Sequence, residues 1–317
     1  MKYCFGIDIG GTTVKIGLFS EAGEMLDRWE ISTRKGNDPA ELLKDVKISL
    51  ENCMQEKGIA KEDILGIGMA APGPVTADGV LQNAVNIGWG SVKLGEEAEK
   101  IIGISPVRIG NDARVAALGE AAFGAGKDAE SMLMVTLGTG VGGGIVLNGK
   151  ILTGASGVAG EIGHMTIDPY ETEYCSCGKK GCMEQYASAT GMVRIAERFL
   201  QESKEDSVLR RMGKITAKNL WDAAKNGDAL ADEITDFVCS RLGAAIANAI
   251  YLVDTEMVVI GGGVSSAGQH LLEKVEKAYQ ERVFAHSRNK KFVLAKLGND
   301  AGIMGAVALI LQDTNKA

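Results

Sequence analysis

Four side chains of this sequence stand at a spacing that suits a single metal ion. His164, Cys175, Cys177 and Cys182 form the pattern H-x10-C-x-C-x4-C. Three thiolates and an imidazole match the tetrahedral preference of Zn²⁺, and they leave no ligand position for water. The ion expected here is therefore structural Zn²⁺, with Gly178 and Gly181 letting the loop fold around it. A redox pair is the alternative, but no C-x-x-C is present. His164 closes the set only if the segment Gly160-Glu161-Ile162-Gly163-His164 lies against the cysteine loop. In that case the ion would also fix Glu161 and Glu184.

A second kind of chemistry is written in glycine. Asp8-Ile9-Gly10-Gly11-Thr12 follows an apolar run, and Thr136-Leu137-Gly138-Thr139-Gly140 follows another. Bare backbone lets an anion come close, successive N–H groups form a nest for it, and a neighbouring Thr hydroxyl adds a donor. Asp8 is placed to hold hydrated Mg²⁺. Either turn alone reads equally well as a tight hairpin. Two of them, with a third run at Gly261-Gly262-Gly263, favour a nucleotide such as ATP. The stretch from Gly138 to Gly143 also matches G-x-G-x-x-G, but it opens a strand and a hairpin rather than a helix, which excludes a dinucleotide fingerprint. There is no P-loop motif.

A third group, Asn111-Asp112, ends a strand and opens a helix. Capping alone would account for these two residues. The chemical reading is a general base, because phosphoryl transfer needs a hydroxyl aligned with the γ-phosphate and a carboxylate to take its proton. The helix N-terminus should keep Asp112 ionised. Asn111, Glu161, His164 and Glu184, with Asn86 less securely, could hydrogen-bond the hydroxyls of a neutral sugar.

These groups need elements to hold them. Residues 3–9, 13–19 and 25–32 read as strands around the first glycine turn, and a helix is expected from Pro39 to about Lys57. Another strand, ILGIGMAAPGPV, ends in a Pro/Gly loop. Residues 132–137 and 142–147 repeat strand, turn, strand, with Asn148-Gly149 as a hairpin signal. Ala113 to Phe123 reads as a helix. A helical region from Ser188 to about Ala247 is expected to break at Gly213, Gly227 and Gly243. After the strand MVVIGGGVS and the helix HLLEKVEKAYQERV comes a Gly/Ala-rich C-terminal helix. The repeat predicts two duplicated α/β domains with a cleft between them. Their expected limits are residues 1–120, joined by the last helix at about 301–317, and 121–300 carrying the zinc loop.

Length and composition fit that plan. The chain has 317 residues, 45% hydrophobic and 24% charged, enough for two domains that need no disulfides. Its net charge of −7, with no Lys/Arg cluster, argues against nucleic acid or an acidic membrane as partner. There is no signal-peptide pattern, and the longest apolar candidate, around Ala244 to Ile260, is interrupted by Asp254 and Glu256. A cytosolic protein is expected.

The Asp8-Ile-Gly-Gly-Thr12 turn, the Gly138-Thr-Gly140 run, Gly160-Glu-Ile-Gly-His164 and Cys175-x-Cys177-Gly-x-x-Gly-Cys182-x-Glu184 together resemble the ROK family of bacterial sugar kinases and repressors. The likeness covers nearly the whole chain and is strongest in the zinc motif. The stretch running on from that motif is most similar to the family's Gram-positive glucokinase branch. The resemblance implies an actin-like, hexokinase-type fold of two ribonuclease-H-like domains that close on sugar, and a homodimer. It implies ATP-dependent phosphorylation of the 6-hydroxyl of glucose with Asp112 as base. It places Asn111, Glu161, His164, Glu184 and the Gly73 backbone at the sugar. Gly10 to Thr12 and Gly138 to Gly140 fall at phosphates, and Gly261, Gly262 and Gly263 near adenosine. Repressor members carry an N-terminal helix-turn-helix, for which a chain beginning at the phosphate strand has no room. Another hexose (fructose, mannose, N-acetylmannosamine or N-acetylglucosamine), a polyphosphate donor, and a sugar sensor without catalysis remain as alternatives.

Overall fold

The computed structural model describes residues 1–36, 38–84 and 87–314. Asn86 lies outside them. Two five-stranded sheets organise the chain. In the first, β1 (Tyr3–Ile9), β2 (Thr13–Ser20) and β3 (Met25–Ser32) form an antiparallel meander. β4 (Ile64–Ala71) and β5 (Val107–Asn111) extend it in parallel, giving the order β3-β2-β1-β4-β5. The second sheet is built from β6 (Ser131–Leu137), β7 (Val141–Leu147), β8 (Lys150–Ile151), β9 (Met257–Gly261) and β10 (Lys291–Leu294). Its order, β10-β9-β6-β7-β8, is the first order reversed in writing, with β6 in the place of β1. The β7/β8 pair is antiparallel and β6/β9/β10 are parallel, as in the first sheet. The duplication read from two glycine turns therefore extends to every strand.

Apolar alternation explains the layers. Ile7, Ile16 and Ile67 on one face of the first sheet meet Leu43, Val46 and Leu50 of α1 (Ala40–Lys57) and Leu94 and Ala98 of α2 (Leu94–Ile102). The other face places Cys4 and Phe19 against Ile303, Val307 and Ile310 of the C-terminal helix α9 (Ala301–Thr314). α9 also lies along α3 (Asp112–Phe123), and glycine allows the close approach. A Cβ on Gly119 would stand 2.5 Å from the Ala301 carbonyl oxygen and 2.8 Å from Gly305 N.

Internal contacts divide the chain into two units: Met1–Asp128 with Gly144–Gly160 and Leu297–Ala317, and Ala129–Gly143 with Glu161–Lys296. Gly144–Gly160 thus joins the first unit. Arg114, buried on α3, holds this segment by donating from Nη2 to the Gly157 carbonyl (2.8 Å) and from Nη1 to that of Thr153 (3.4 Å).

The helical region after Ser188 resolves into α5 (Ala189–Glu202), α6 (Ala217–Lys225) and α7 (Ala229–Val253), preceded by the short α4 (Glu184–Ala187). The breaks near Gly213 and Gly227 are there, but Gly243 does not break α7. A Cβ at Gly243 would come within 2.7 Å of the Ala278 carbonyl carbon and Tyr279 N in α8 (Gln269–Gln280). This glycine serves helix packing rather than termination. α7 is long and apolar enough to cross a membrane by length and composition. In this protein Leu242, Ile246 and Ile250 of α7 are buried, and the helix packs on α6 and α8.

Candidate active site

In the first unit the chemistry gathers at the carboxyl ends of β1, β4 and β5, where parallel α/β sheets bind ligands. Register pairs Asp8 with Ala70 and Ala71 with Asn111, so adjacent strands deliver these groups together. The glycine turn after β1 is closed by Gly10 N–H to the Thr13 carbonyl (3.0 Å). It is clasped by Thr33, whose hydroxyl donates to the Gly10 carbonyl (2.7 Å) and whose N–H donates to that of Thr12 (2.9 Å). A Cβ added at Gly11 would meet nothing within 4 Å, so the turn presents bare backbone. Asp8 is half-buried. Burial raises its carboxyl pKa to about 6; nearby Lys15 opposes this and Asp112 reinforces it. The first turn of α9 also faces it, since a Cβ on Gly302 would stand 2.5 Å from Asp8 Oδ2.

Asn111 both caps and positions. Its Oδ1 accepts from Arg114 N–H (3.2 Å), the N-cap bond of α3. Its Nδ2 donates to the Gly73 carbonyl (3.1 Å) and to Asp112 Oδ1 (2.9 Å). Gly73 has φ +114, a conformation that side chains rarely adopt, and this turns its carbonyl toward Asn111. Asp112 is the first helical residue. Its Oδ1 also accepts from Ala113 N–H (2.7 Å). The side chain keeps contact with water, yet desolvation by the protein around it raises its pKa, against those hydrogen bonds and Arg114. Capping and the placing of a carboxylate are thus done by neighbouring residues.

In the second unit, Gly138 N–H donates to the Gly140 carbonyl (3.0 Å), the counterpart of the Gly10 closure. A cavity of about 630 Å³ opens beside this turn, of a size that takes a small organic ligand. It is lined by Gly138, Thr139, Thr216, Lys218, Trp221 and Gly263, among others. Two of the three glycine runs thus share one cavity. Gly262 has φ +82, and a Cβ there would come within 2.7 Å of the Leu137 backbone.

The ligand atoms of His164, Cys175, Cys177 and Cys182 all lie within 4.8 Å of one another. Cys175 Sγ stands 3.8 Å from His164 Nδ1, and Cys177 Sγ 3.6 Å from Cys182 Sγ. A tetrahedron with Zn–S about 2.3 Å has edges of about 3.8 Å, so the donor set fits Zn²⁺. Gly178 (φ +82) and Gly181 (φ +72) turn the loop as expected. Burial and the neighbouring Cys177 and Cys175 push the Cys182 thiol up to about 12, a cluster that favours thiolates only around a cation. With Nδ1 aimed at the cluster, the other ring nitrogen of His164 is the one left to serve as an N–H donor. Glu161 leads into the short 3-10 turn Ile162–His164. Glu184 opens α4, with Oε2 accepting from Val141 N–H (2.9 Å) and Oε1 from the Ser176 hydroxyl (3.1 Å).

A family model described as the ROK family matches residues 4–313. The chain belongs to the ROK family. A glucokinase of Halalkalibacterium halodurans is 42% identical over 319 residues, covering 99% of this chain and 96% of that protein. The crystal structure of a ROK family glucokinase from Streptomyces griseus in complex with glucose and AMPPNP is 31% identical, with a TM-score of 0.76 over 98% of this chain and 99% of that one. A ROK hexokinase from Thermus thermophilus is 29% identical, with a TM-score of 0.82 over 99% of this chain and 100% of that one. The two like sheets are therefore the actin/hexokinase-type fold of ROK kinases, as the motifs implied.

Sequence reasoning missed several residues of this ROK chain. Arg114, Thr190, Lys218 and Trp221 are given no role by the motifs; Arg114 and Thr190 act through contacts far away in sequence, and Lys218 and Trp221 line the cavity. Thr190 donates from its hydroxyl to the Thr139 carbonyl (2.8 Å), and Trp221 lies on the second turn of α6. Only the amphipathic pattern of α6 hinted that Trp221 faces inward.

Proposed function

We propose that this protein phosphorylates the 6-hydroxyl of glucose with MgATP. The observation that carries this reading is Asp112: a carboxylate at the carboxyl end of β5, with one oxygen held by Asn111 and Ala113 and its pKa raised by desolvation. Both of those bonds fall on Oδ1, so Oδ2 is the oxygen to accept the proton of the sugar hydroxyl. A raised pKa makes that acceptance more favourable than for an ordinary aspartate. Asn111, Glu161, His164 and Glu184, with the Gly73 backbone and Asn86, hold the other hydroxyls. His164 would donate through the ring nitrogen turned away from the cysteines. Gly11 and Thr12 with Thr139 and Gly140 give backbone N–H groups to phosphates, Gly10 and Gly138 close the two turns that present them, and Gly261, Gly262 and Gly263 border the adenosine. Bound Mg²⁺, held through Asp8, supplies charge neutralisation at the transferring phosphoryl group. Zn²⁺ on His164, Cys175, Cys177 and Cys182 is structural. The relatives named glucokinase support glucose as the sugar. A cytosolic homodimer is part of the same reading.

ADP release measured over a panel of hexoses and N-acetylhexosamines tests it. Glucose should give the highest kcat/KM. Asp112→Ala should lower kcat by about 10²–10⁴-fold while glucose still binds. Near-wild-type turnover by that variant would remove Asp112 as base. Release that is faster with an N-acetyl sugar would reassign the substrate, and no release with any sugar would leave a sensor.

A further inference from the structure

The zinc loop and the second phosphate turn are joined through one carboxylate. Glu184 stands two residues after the cluster's Cys182. Its Oε1 accepts from the Ser176 hydroxyl at 3.1 Å, and Cys175 Sγ lies 3.7 Å from the same oxygen. Its Oε2 accepts from Val141 N–H at 2.9 Å, at the end of the Gly138-Thr139-Gly140 turn. Glycine at position 140 makes this contact possible, because a Cβ there would collide with the carboxylate.

The chain that follows Glu184 grips the same turn twice more. Ala189 N–H donates to the Gly138 carbonyl (2.8 Å), and the Thr190 hydroxyl donates to that of Thr139 (2.8 Å). The Gly138 and Thr139 carbonyls and the Val141 N–H that follows the turn are thus tied to one short segment, residues 184–190. That segment is fastened at its start to the metal loop, where Cys182 N–H donates to Gln185 Oε1 (3.1 Å) and Met183 N–H to the Met165 carbonyl (2.9 Å). Among the described residues, the first phosphate turn is clasped by Thr33, through its hydroxyl and its N–H.

We infer that Glu184 and Thr190 are positioning residues for the nucleotide phosphates, through which the zinc loop sets the shape of the Gly138 turn. This rests on the nucleotide half of the function proposed above and goes beyond the sugar contact given there to Glu184. A nest binds phosphate only when its N–H groups point to one place. A turn with three fixed peptide groups is preorganised to do so, whereas a loosened one must be ordered on binding.

The test separates phosphate from base. Binding of AMPPNP and of adenosine is followed, without sugar, by titration calorimetry and by the fluorescence of Trp221 in the cavity wall. Thr190→Val, which touches neither zinc nor the metal loop, should weaken AMPPNP about tenfold and leave adenosine unchanged. Thr190→Ser, which keeps the hydroxyl, should restore the affinity. Glu184→Ala should show the same split with stoichiometric zinc retained, and Glu184→Gln, which keeps an oxygen for Val141 N–H, should lie close to wild type. Cys177→Ser, which removes a zinc ligand, should lose AMPPNP affinity before adenosine affinity. Equal weakening of both ligands by Thr190→Val or Glu184→Ala, or no weakening of either, overturns the inference. No readout contains a sugar, so a wrong sugar assignment leaves this result standing, and failure here leaves the sugar assignment standing.

Discussion

Asp8→Asn should make this protein more stable and less active, and the size of the gain follows from its surroundings. The Asp8 carboxyl moves from 3.8 to about 6, chiefly because burial disfavours its charge. At about 1.4 kcal/mol for each tenfold change in proton affinity, holding it ionised costs about 3 kcal/mol at neutral pH. The sign follows from linkage. Because the folded-state pKa is the higher one, the folded protein binds more protons than the unfolded chain between pH 3.8 and about 6. Stability on this account is therefore lost as pH rises through that window, and the penalty is complete above it. Asparagine carries no charge to desolvate. The attraction of Lys15 is lost with it, but that attraction is already included in the net shift. The expected gain at pH 7.5 is up to about 3 kcal/mol, or a rise of several degrees in Tm for a unit of this size.

The assay is thermal unfolding by circular dichroism, without nucleotide or Mg²⁺, at pH 7.5 and pH 4. The variant should exceed the wild type at pH 7.5, and the difference should shrink towards nothing at pH 4. Its turnover should fall by orders of magnitude, and Mg²⁺ with AMPPNP should raise the Tm of the wild type more than that of the variant. A variant less stable than wild type at pH 7.5, or an advantage equal at both pH values, would refute the reasoning. Asp8 would then be an ordinary turn former whose charge costs the fold nothing.

Other consequences are open to measurement. Because desolvation raises the Asp112 pKa and the base must be ionised, kcat/KM should fall with acidification at a higher pH than an ordinary aspartate would set; an acid limb at the ordinary aspartate position would contradict that. Cys182→Ser should lose stoichiometric zinc by elemental analysis and lower the Tm, since metal binding adds to folding free energy. Gly243→Ala should destabilise by up to about 2 kcal/mol in urea, because overpacking against α8, at about 1–3 kcal/mol, outweighs a helix-propensity gain of about 1 kcal/mol.

Much of this was legible in the sequence because local patterns carried it. Strand alternation, the glycine turns and the metal spacing are decided within a few residues, and the strands of both meanders lie where the apolar runs place them. What the sequence left ambiguous was decided at long range. Gly243 looks like a helix breaker when only α7 is considered; its reason lies in α8, thirty-five residues on. The segment from Gly144 looks like part of the second domain, but the buried guanidinium of Arg114 holds it with the first unit. Asn111-Asp112 posed a choice between capping and catalysis. In the structure Asn111 makes the cap and also holds the Asp112 carboxylate, so capping leaves Asp112 available for the role proposed for it.

The duplication also shows why the two halves are not interchangeable. β1 and β6 are each seven residues long and occupy the same place in their sheets, so Asp8, sixth in β1, corresponds to Thr136, sixth in β6. A carboxylate at both positions would put a desolvation cost of the kind worked out for Asp8 into each unit, whereas a phosphate needs only the backbone turn that each copy retains. β5 likewise ends at Asn111 and runs into Asp112, while its counterpart β10 runs into Ala295-Lys296, which offers no carboxylate. The glycine turn is therefore present twice, whereas Asp8 and Asp112, the carboxylates proposed to act at the phosphates and the sugar hydroxyl, both lie in the first unit. The second unit has the metal loop, and there Glu184, Ala189 and Thr190 grip the bare turn. This division predicts an asymmetry under mutation. Asp8→Asn and Asp112→Ala in the first unit should lower turnover by orders of magnitude and spare the fold, whereas loosening the strapped turn in the second should weaken nucleotide binding and leave residual turnover measurable.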